Sequence, residues 1–275
     1  MIDKIRSLRK NLTFILLMGV NGAGKGKKGL ILEYLAEAFG TYRIVMSDLI
    51  DRHVRDKTPL GLQFAAQKAV KDAGNLLSDA AVFEAVEMEI LRLYALYETS
   101  GYKGECTIIL DGYPRSMGDD TDQLKRFLSY RVPFSAFEFK IDEATCLHRV
   151  IERAKNEGKR GDEKSAPDRF VRLGRGNSKM LRVIKAANPN SAVTIDGTLP
   201  VRDQLMRVMK KCYSPSNVMK MAKCLDMRDH RARKLMDEIE GKTHRGGASA
   251  HAVHNTQRVE HAVGSGDARE LVAAP

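Results

Sequence analysis

Cysteine is scarce in this chain of 275 residues: Cys106, Cys146, Cys212 and Cys224 are scattered, and no two form a C-x-x-C pair. That spacing argues against zinc and dithiol motifs and leaves reduced thiols of a cytoplasmic protein as the simple reading. Long apolar runs are also missing, since none approaches the roughly 18 residues that span a bilayer. The segment LTFILLM (12–18) follows Lys4, Arg6, Arg9 and Lys10, as the core of a secretory signal would. A glycine-rich loop follows it where a small-residue cleavage site is needed, so it reads as a buried first strand. Nor is there a dense run of basic residues interleaved with aromatics, although the formal net charge is +11. Lysine and arginine are spread over the first three quarters, which favours a site for small polyphosphates over a nucleic-acid partner.

What the chain does have is alternation. Apolar runs at 12–18, 42–46 (YRIVM), 106–112 (CTIILDG), 136–141 (AFEFKI) and 192–197 (AVTIDG) read as five strands. Between them lie segments with helical spacing: 24–39, a helix capped by Ser47, a long region after TPLG with a break at DAGNLLSD and a new start near Ser78, DQLKRFLSY, EATCLHRVIERAKN, a helix from Asp168 to Ala187, and a closing helix PVRDQLMRVMKKC. Strands alternating with helices predict an α/β fold, a five-stranded parallel sheet with helices on both faces. Ligands of such sheets gather at the carboxyl ends of the strands. EGKRGDEKSAP is polar and reads as a mobile connection. After Tyr213 the pattern weakens to two short amphipathic helices, a helical extension over 212–240, and then a Gly-, Ala-, Ser- and His-rich tail over 241–275 expected to be disordered. The tail's histidines are irregularly spaced and read as solvated.

The chemistry starts in GVNGAGKGKKG (19–29). Strand, glycine-rich turn and helix start together make an anion site, in which convergent backbone N–H groups and the helix dipole favour phosphate. G-x-x-x-x-G-K runs from Gly19 to Lys25. Lys25, Lys27 and Lys28 crowd the first helical turn, where the dipole disfavours each cation by about 0.3–1 kcal/mol. No acid nearby in sequence offsets this, whereas a bound polyanion would.

The fuller pattern G-x-x-G-x-G-K-G resembles the adenylate kinase family of nucleoside monophosphate kinases, which have the P-loop nucleoside triphosphate hydrolase fold. The family's other landmarks follow in order. SDLI…TPLG (47–61) and DAGNLLSD (72–79) resemble its monophosphate-binding segments, and LDGYPRS (110–116) the signature after its third strand. RVIER (149–153) is similar to the helix entering the lid, KRGDE with Arg172 to the lid exit, and IDGTLPV (195–201) to the closing turn. The resemblance covers residues 12 to 211. The few residues between Arg153 and Lys159 imply the short-lid form (lid about 154–168), with no room for a lid zinc.

The resemblance implies roles residue by residue. Gly22, Ala23, Gly24, Lys25, Gly26 and Lys27 cradle the ATP phosphates, with Lys25 on the β- and γ-phosphates. Arg149 and Arg153, one helical turn apart, hold the donor nucleotide, and Gly197 is a further ATP-binding position. Arg115 bridges both substrates. Arg160 and Arg172, or Arg169 if the register slips, close over the transferring group. Each arginine alone would read as a solvated helix charge, but the five keep the family's order, and a planar fork suits phosphate oxygens. Asp111 holds Mg²⁺ through water, as a hard cation that keeps its hydration allows. Asp162 and Glu163 look like the acidic pair that anchors the closed lid. The acceptor monophosphate falls to Met46, Asp51, Arg52, Leu77, Gly112, Arg115, Asp119, Arg160 and Arg172.

Departures cluster at that acceptor site. Lys27 replaces the family's threonine in the loop. Across the cleft, Met46 also replaces a threonine, and Asp51 replaces the arginine that grips the acceptor phosphate. Arg52 or Arg55 is the available substitute, and Asp51 and Arg55 are spaced to pair at i,i+4. Asp119 or Asp120 stands where a glutamine reads adenine. A carboxylate only accepts hydrogen bonds, which suits guanine's two donors. The reading is a cytoplasmic, monomeric kinase that passes the γ-phosphoryl group of ATP to AMP or a related monophosphate, without membrane or nucleic-acid partners. The alternative is a non-catalytic ATP-binding regulatory module with partner-binding C-terminal helices.

Overall fold

Seven residues as apolar as LTFILLM can be buried on both faces only in the middle of a covered sheet. There β1 (Leu12–Met18) lies, in a five-stranded sheet with β2 (Thr41–Val45), β3 (Cys106–Asp111), β4 (Phe134–Lys140) and β5 (Ala192–Asp196). The order is β2-β3-β1-β4-β5, and every pairing is parallel. The computed structural model describes residues 1–20, 22–24, 31–32, 39–70, 78–115, 122–156 and 162–226; for 68–70, 153–156, 162–166 and 169 it describes the backbone alone.

The chain leaves β1 toward β2 on one side of the sheet and leaves β3 toward β4 on the other. β1 and β3 are neighbours, with Leu17 opposite Asp111. The loops that follow these strands therefore flank the point where the winding reverses, which is where open α/β sheets form their ligand crevice.

Alternation along the strands feeds two cores. Phe14, Leu16 and Met18 join Ile108 and Leu110 on one face; Ile15, Leu17 and Ile109 face the other. The first face is covered by α1 (Ile2–Ser7), α2 (Met46–Arg55), α3 (Pro59–Val70), α4 (Asp79–Thr99) and α5 (Asp122–Ser129). Against the second lie Ile31 and Leu32, Cys146 of α6 (Glu143–Asn156), α8 (Val201–Cys212) and a helix over 215–226. The long α7 (Asp162–Ala187) serves both, with Leu173 in the second core and Met180, Leu181 and Ile184 in the first. Among the described residues no helix is long and apolar enough to cross a membrane.

The strand and helix expectations hold, with corrections at their ends. β2 stops at Val45, and Met46 opens α2 instead of closing the strand. Ser47 is thus inside the helix, where its hydroxyl bonds the Asp48 carboxylate and caps nothing. β4 starts at Phe134, two residues before the expected Ala136, because Phe134 and Ser135 pair with Phe14 and Ile15. α7 begins at Asp162 rather than Asp168, with Pro167 inside it. A proline costs a helix one hydrogen bond and need not end it. Much of the segment expected as a mobile lid is therefore helical, and only residues 157–161 separate α6 from α7. α1 was not foreseen; it is anchored by Ile5, which is fully buried. The expected helix over 24–39 lies mostly outside the described residues, as do the break at 71–77 and everything from 227 on.

The first helix of the extension belongs to the core. Val218, Met221 and Leu225, at helical spacing, are buried in the second cluster. Arg202 of α8 holds the helix's end through Asp226 at 2.9 Å, and the Tyr213 hydroxyl meets that of Thr41 on β2 at 3.0 Å. Met221→Ala should cost about 2–5 kcal/mol in urea unfolding, as a truncation that leaves a cavity does. A loss near zero would detach this helix from the core.

Candidate active site

The loop after β1 is shaped by what lies beneath it. Gly22 has φ +86°, and a Cβ there would stand 2.6 Å from the Cys146 carbonyl oxygen and 3.0 Å from its Sγ. Only glycine fits both the conformation and the space. Ala23 is fully buried, and its N–H reaches the Val20 carbonyl at 3.3 Å. Arg149, three residues after Cys146 on α6, donates from Nη1 to the Gly22 carbonyl at 3.4 Å. The structure thus brings Gly22, Ala23, Gly24 and Arg149 to one edge of the crevice, with α6 as their support. Lys25, Gly26 and Lys27 lie outside the described residues; of Arg153, only its place on α6 is described.

The loop after β3 forms the facing edge. Asp111 closes the strand, its side chain 10% exposed, with Arg43 Nη1 of β2 3.9 Å from its Oδ2. Gly112 follows with φ +86°; a Cβ there would meet Arg115 Nη2 and Met46 Cβ, each at 3.5 Å. Gly112 therefore has both Arg115 and Met46 as close neighbours. Met46 is buried and shares the first core with Tyr113.

A polar network fixes this loop from behind. The Arg115 N–H donates to Gln123 Oε1 at 2.8 Å, and Gln123 Nε2 donates to Asp79 Oδ1 at 2.8 Å, which ties the loop to the starts of α4 and α5. Deeper, Glu87 is fully buried and accepts from Arg126 at 2.6 and 3.0 Å and from the Tyr130 hydroxyl at 3.0 Å. The Tyr130 hydroxyl lies 3.4 Å from that of Tyr113. A buried carboxylate needs such partners, because desolvation otherwise outweighs any gain. Burial also raises the pKa of both tyrosines, keeping them protonated as donors.

From α7, Arg172 presents a buried Nε with no hydrogen-bond partner among the described residues. A buried guanidinium nitrogen without an acceptor is a donor in want of an anion. Gly197 follows β5; its N–H donates to the Lys140 carbonyl at 2.7 Å, and a Cβ would stand 2.9 Å from that oxygen. Arg160, Leu77 and Asp119 lie outside the described residues, and Asp162 and Glu163 are described only as helical.

No family model matches the chain. An adenylate kinase of Pseudarthrobacter chlorophenolicus is 26% identical over 201 residues, 72% of this chain and 96% of that protein. One of Methylobacterium radiotolerans is 28% identical over 193 residues, 68% of this chain and 89% of that protein. One of Azorhizobium caulinodans is 30% identical over 150 residues, 54% of this chain and 69% of that protein. The chain belongs to the adenylate kinase family.

Of the residues expected on the acceptor side of this adenylate kinase relative, Met46, Asp51 and Arg52 fall on α2. Asp51 is exposed on α2, where the family's arginine was expected. Its neighbour Arg52 donates to Glu89 of α4 at 2.6 Å, and Arg92 grips the same carboxylate with two bonds of 2.7 and 2.8 Å. Arg55 pairs with Asp56 at 3.1 Å. A cleft of about 340 Å³ opens along the edge strand β2, lined by Arg43, Asp48, Leu49, Arg52, Arg55 and Glu89. Arg43, Gln123 and Glu89 escaped the sequence reading. For Arg43 a signal existed, since a charge between Thr41 and Val45 lies on one face of a strand. Glu89 stands among Val82, Ala85, Val86, Ile90 and Leu93 of α4, a polar residue on an apolar face. Gln123 gave none.

Two outcomes follow in this adenylate kinase relative. Gly22→Ala should weaken ATP binding at least about tenfold by calorimetry, because strain and the Cys146 contact displace the loop; unchanged affinity would show that the loop yields. For Glu89, burial favours the neutral acid, but hydrogen bonds from Arg92 and Arg52 outweigh it and hold the pKa below its ordinary 4.5. A lowered folded pKa gives stability that is present above the unfolded value and lost as pH falls through the folded one. Glu89→Gln should therefore lower the midpoint of thermal unfolding at pH 7, and the gap from wild type should close as pH drops below about 4.5.

Proposed function

We propose that the chain is an ATP-dependent nucleoside monophosphate kinase that transfers the γ-phosphoryl group of ATP to AMP or a related monophosphate in the cytoplasm. The observation that carries the reading is the meeting of two loops at the β1–β3 reversal point. One is a glycine cradle backed by Arg149; the other presents Asp111, Gly112 and Arg115. The family relationship favours the same chemistry and lends no support to a non-catalytic module.

In this reading an oxygen of the monophosphate attacks the γ-phosphorus, its bond to the β-phosphate oxygen breaks, and ADP and a nucleoside diphosphate leave. Such transfers need positioned cations more than covalent help. Lys25 is the cation for the β- and γ-phosphates, and Lys27 is the cation for the α-phosphate in place of the family's threonine. Arg149 and Arg153 hold the donor, Arg115 spans both substrates, and Gly197 is a further position at the donor nucleotide. Arg160 and Arg172 close on the moving group, and the Nε of Arg172, which meets no acceptor among the described residues, suits that role. Asp111 offers the hard oxygen donor that Mg²⁺ prefers and would hold it through water. The ion's remaining ligands would be phosphate oxygens and water, the oxygen donors that Mg²⁺ keeps. When bound, the ion neutralises charge on the phosphate oxygens.

Acceptor choice is the finer part of the proposal. Met46 beside Gly112 makes the acceptor end more apolar than a threonine would, and Asp119 favours a base edge with two donors, as in guanine. A coupled assay across AMP, GMP, CMP, UMP and their deoxy forms should show turnover with at least one. Arg115→Ala should lower kcat/KM for it by about 10²–10³. No turnover with any acceptor at millimolar concentration would sink the proposal.

A further inference from the structure

The acid proposed for the metal already has a cation beside it. Arg43 rises from the edge strand β2, paired in register with Ile109 of β3, and its Nη1 is 3.9 Å from Asp111 Oδ2. Both side chains are nearly out of solvent, 13% exposed for Arg43 and 10% for Asp111. A carboxylate so buried cannot stay ionised cheaply without a counter-charge, and Arg43 supplies one from within the sheet. The distance matters as much as the charge. At 3.9 Å the contact between these two atoms is an ion contact and not a direct hydrogen bond.

We propose that Arg43 is a resident counter-cation of Asp111, a positioning residue that stabilises the buried carboxylate and weakens its hold on a divalent ion. A guanidinium and a divalent ion next to one carboxylate repel each other. Asp111 therefore binds the ion weakly by itself, and the ion enters as part of the nucleotide complex. This rests on the reading that Asp111 faces the triphosphate; the pairing of Arg43 with Asp111 does not.

Two measurements test it. The first is thermal unfolding without metal or nucleotide. Arg43→Gln removes a counter-charge from a buried carboxylate and should lower the midpoint by about 5–10 °C. Adding Asp111→Asn should recover at least half of that loss, the coupling expected of partners. A double variant no more stable than Arg43→Gln overturns the pairing. If Arg43→Gln does not fold, a double variant that folds supports the pairing, and one that also fails overturns it.

The second measurement reads free Mn²⁺ by electron paramagnetic resonance, with each protein saturated by a non-hydrolysable ATP analogue. Arg43→Gln should bind Mn²⁺ about tenfold more tightly than wild type, from the loss of one adjacent charge, and Arg43→Lys should stay near wild type. Equal affinity in Arg43→Gln and wild type, with nucleotide bound to both, overturns the metal part of the proposal. Failure of either protein to bind the analogue in metal-free calorimetry counts against the nucleotide reading instead. The unfolding cycle then still decides whether Arg43 serves Asp111.

Discussion

The pairing of β1 with β3 is the constraint on which the crevice depends. Parallel strands share an end, so their following loops emerge side by side; with Leu17 opposite Asp111, the glycine cradle and the Asp111–Arg115 loop face each other. A slip of one residue would turn Asp111 to the opposite face of the sheet. The register is held by the two apolar layers that β1 divides, each of which accepts only one parity of its side chains. Core and site are in this sense one specification: the same alternation that buries Leu16 and Leu17 decides where the acid stands.

Holding the loops still is a separate matter from placing them. On one side Cys146 and Arg149 of a single helix support the cradle, so α6 sets its height. On the other, the Gln123 amide joins the Arg115 backbone to Asp79, and Glu87 locks Arg126 and Tyr130 below. Most of these are partly buried polar bonds, most favourable when every partner is in place, and they therefore favour one arrangement of the loop. Such support holds the Arg115 backbone in one place.

How much of this was legible in the sequence follows from the range over which each feature is encoded. Strands were readable because apolar runs between turn residues are local, and β1 and α6 fell where expected. Ends were less so. Met46 reads as the last apolar residue of a strand, yet its side chain packs as well from the first turn of a helix. Pro167 looked like a boundary, but α7 absorbs it. The site's motif residues were legible because glycines, Asp111 and Arg115 must keep close spacing to share a loop. Their supports were not. That Arg43 meets Asp111 depends on how β2 pairs with β3, and that Gln123 meets Asp79 depends on how two helices dock. Neither is written within one segment.

Glu89 shows what such sharing does to a side chain's freedom. Arg92 holds its carboxylate with two bonds, one to each oxygen, while Arg52 adds a third. The dependence is unequal. Without Arg52, Glu89 keeps a complete two-pronged partner; without Glu89, Arg52 loses the bond that holds it against α4. The carboxylate thus works as a berth more than a bond: Arg52 is moored beside the β2 cleft, and its release would leave no orphaned charge behind.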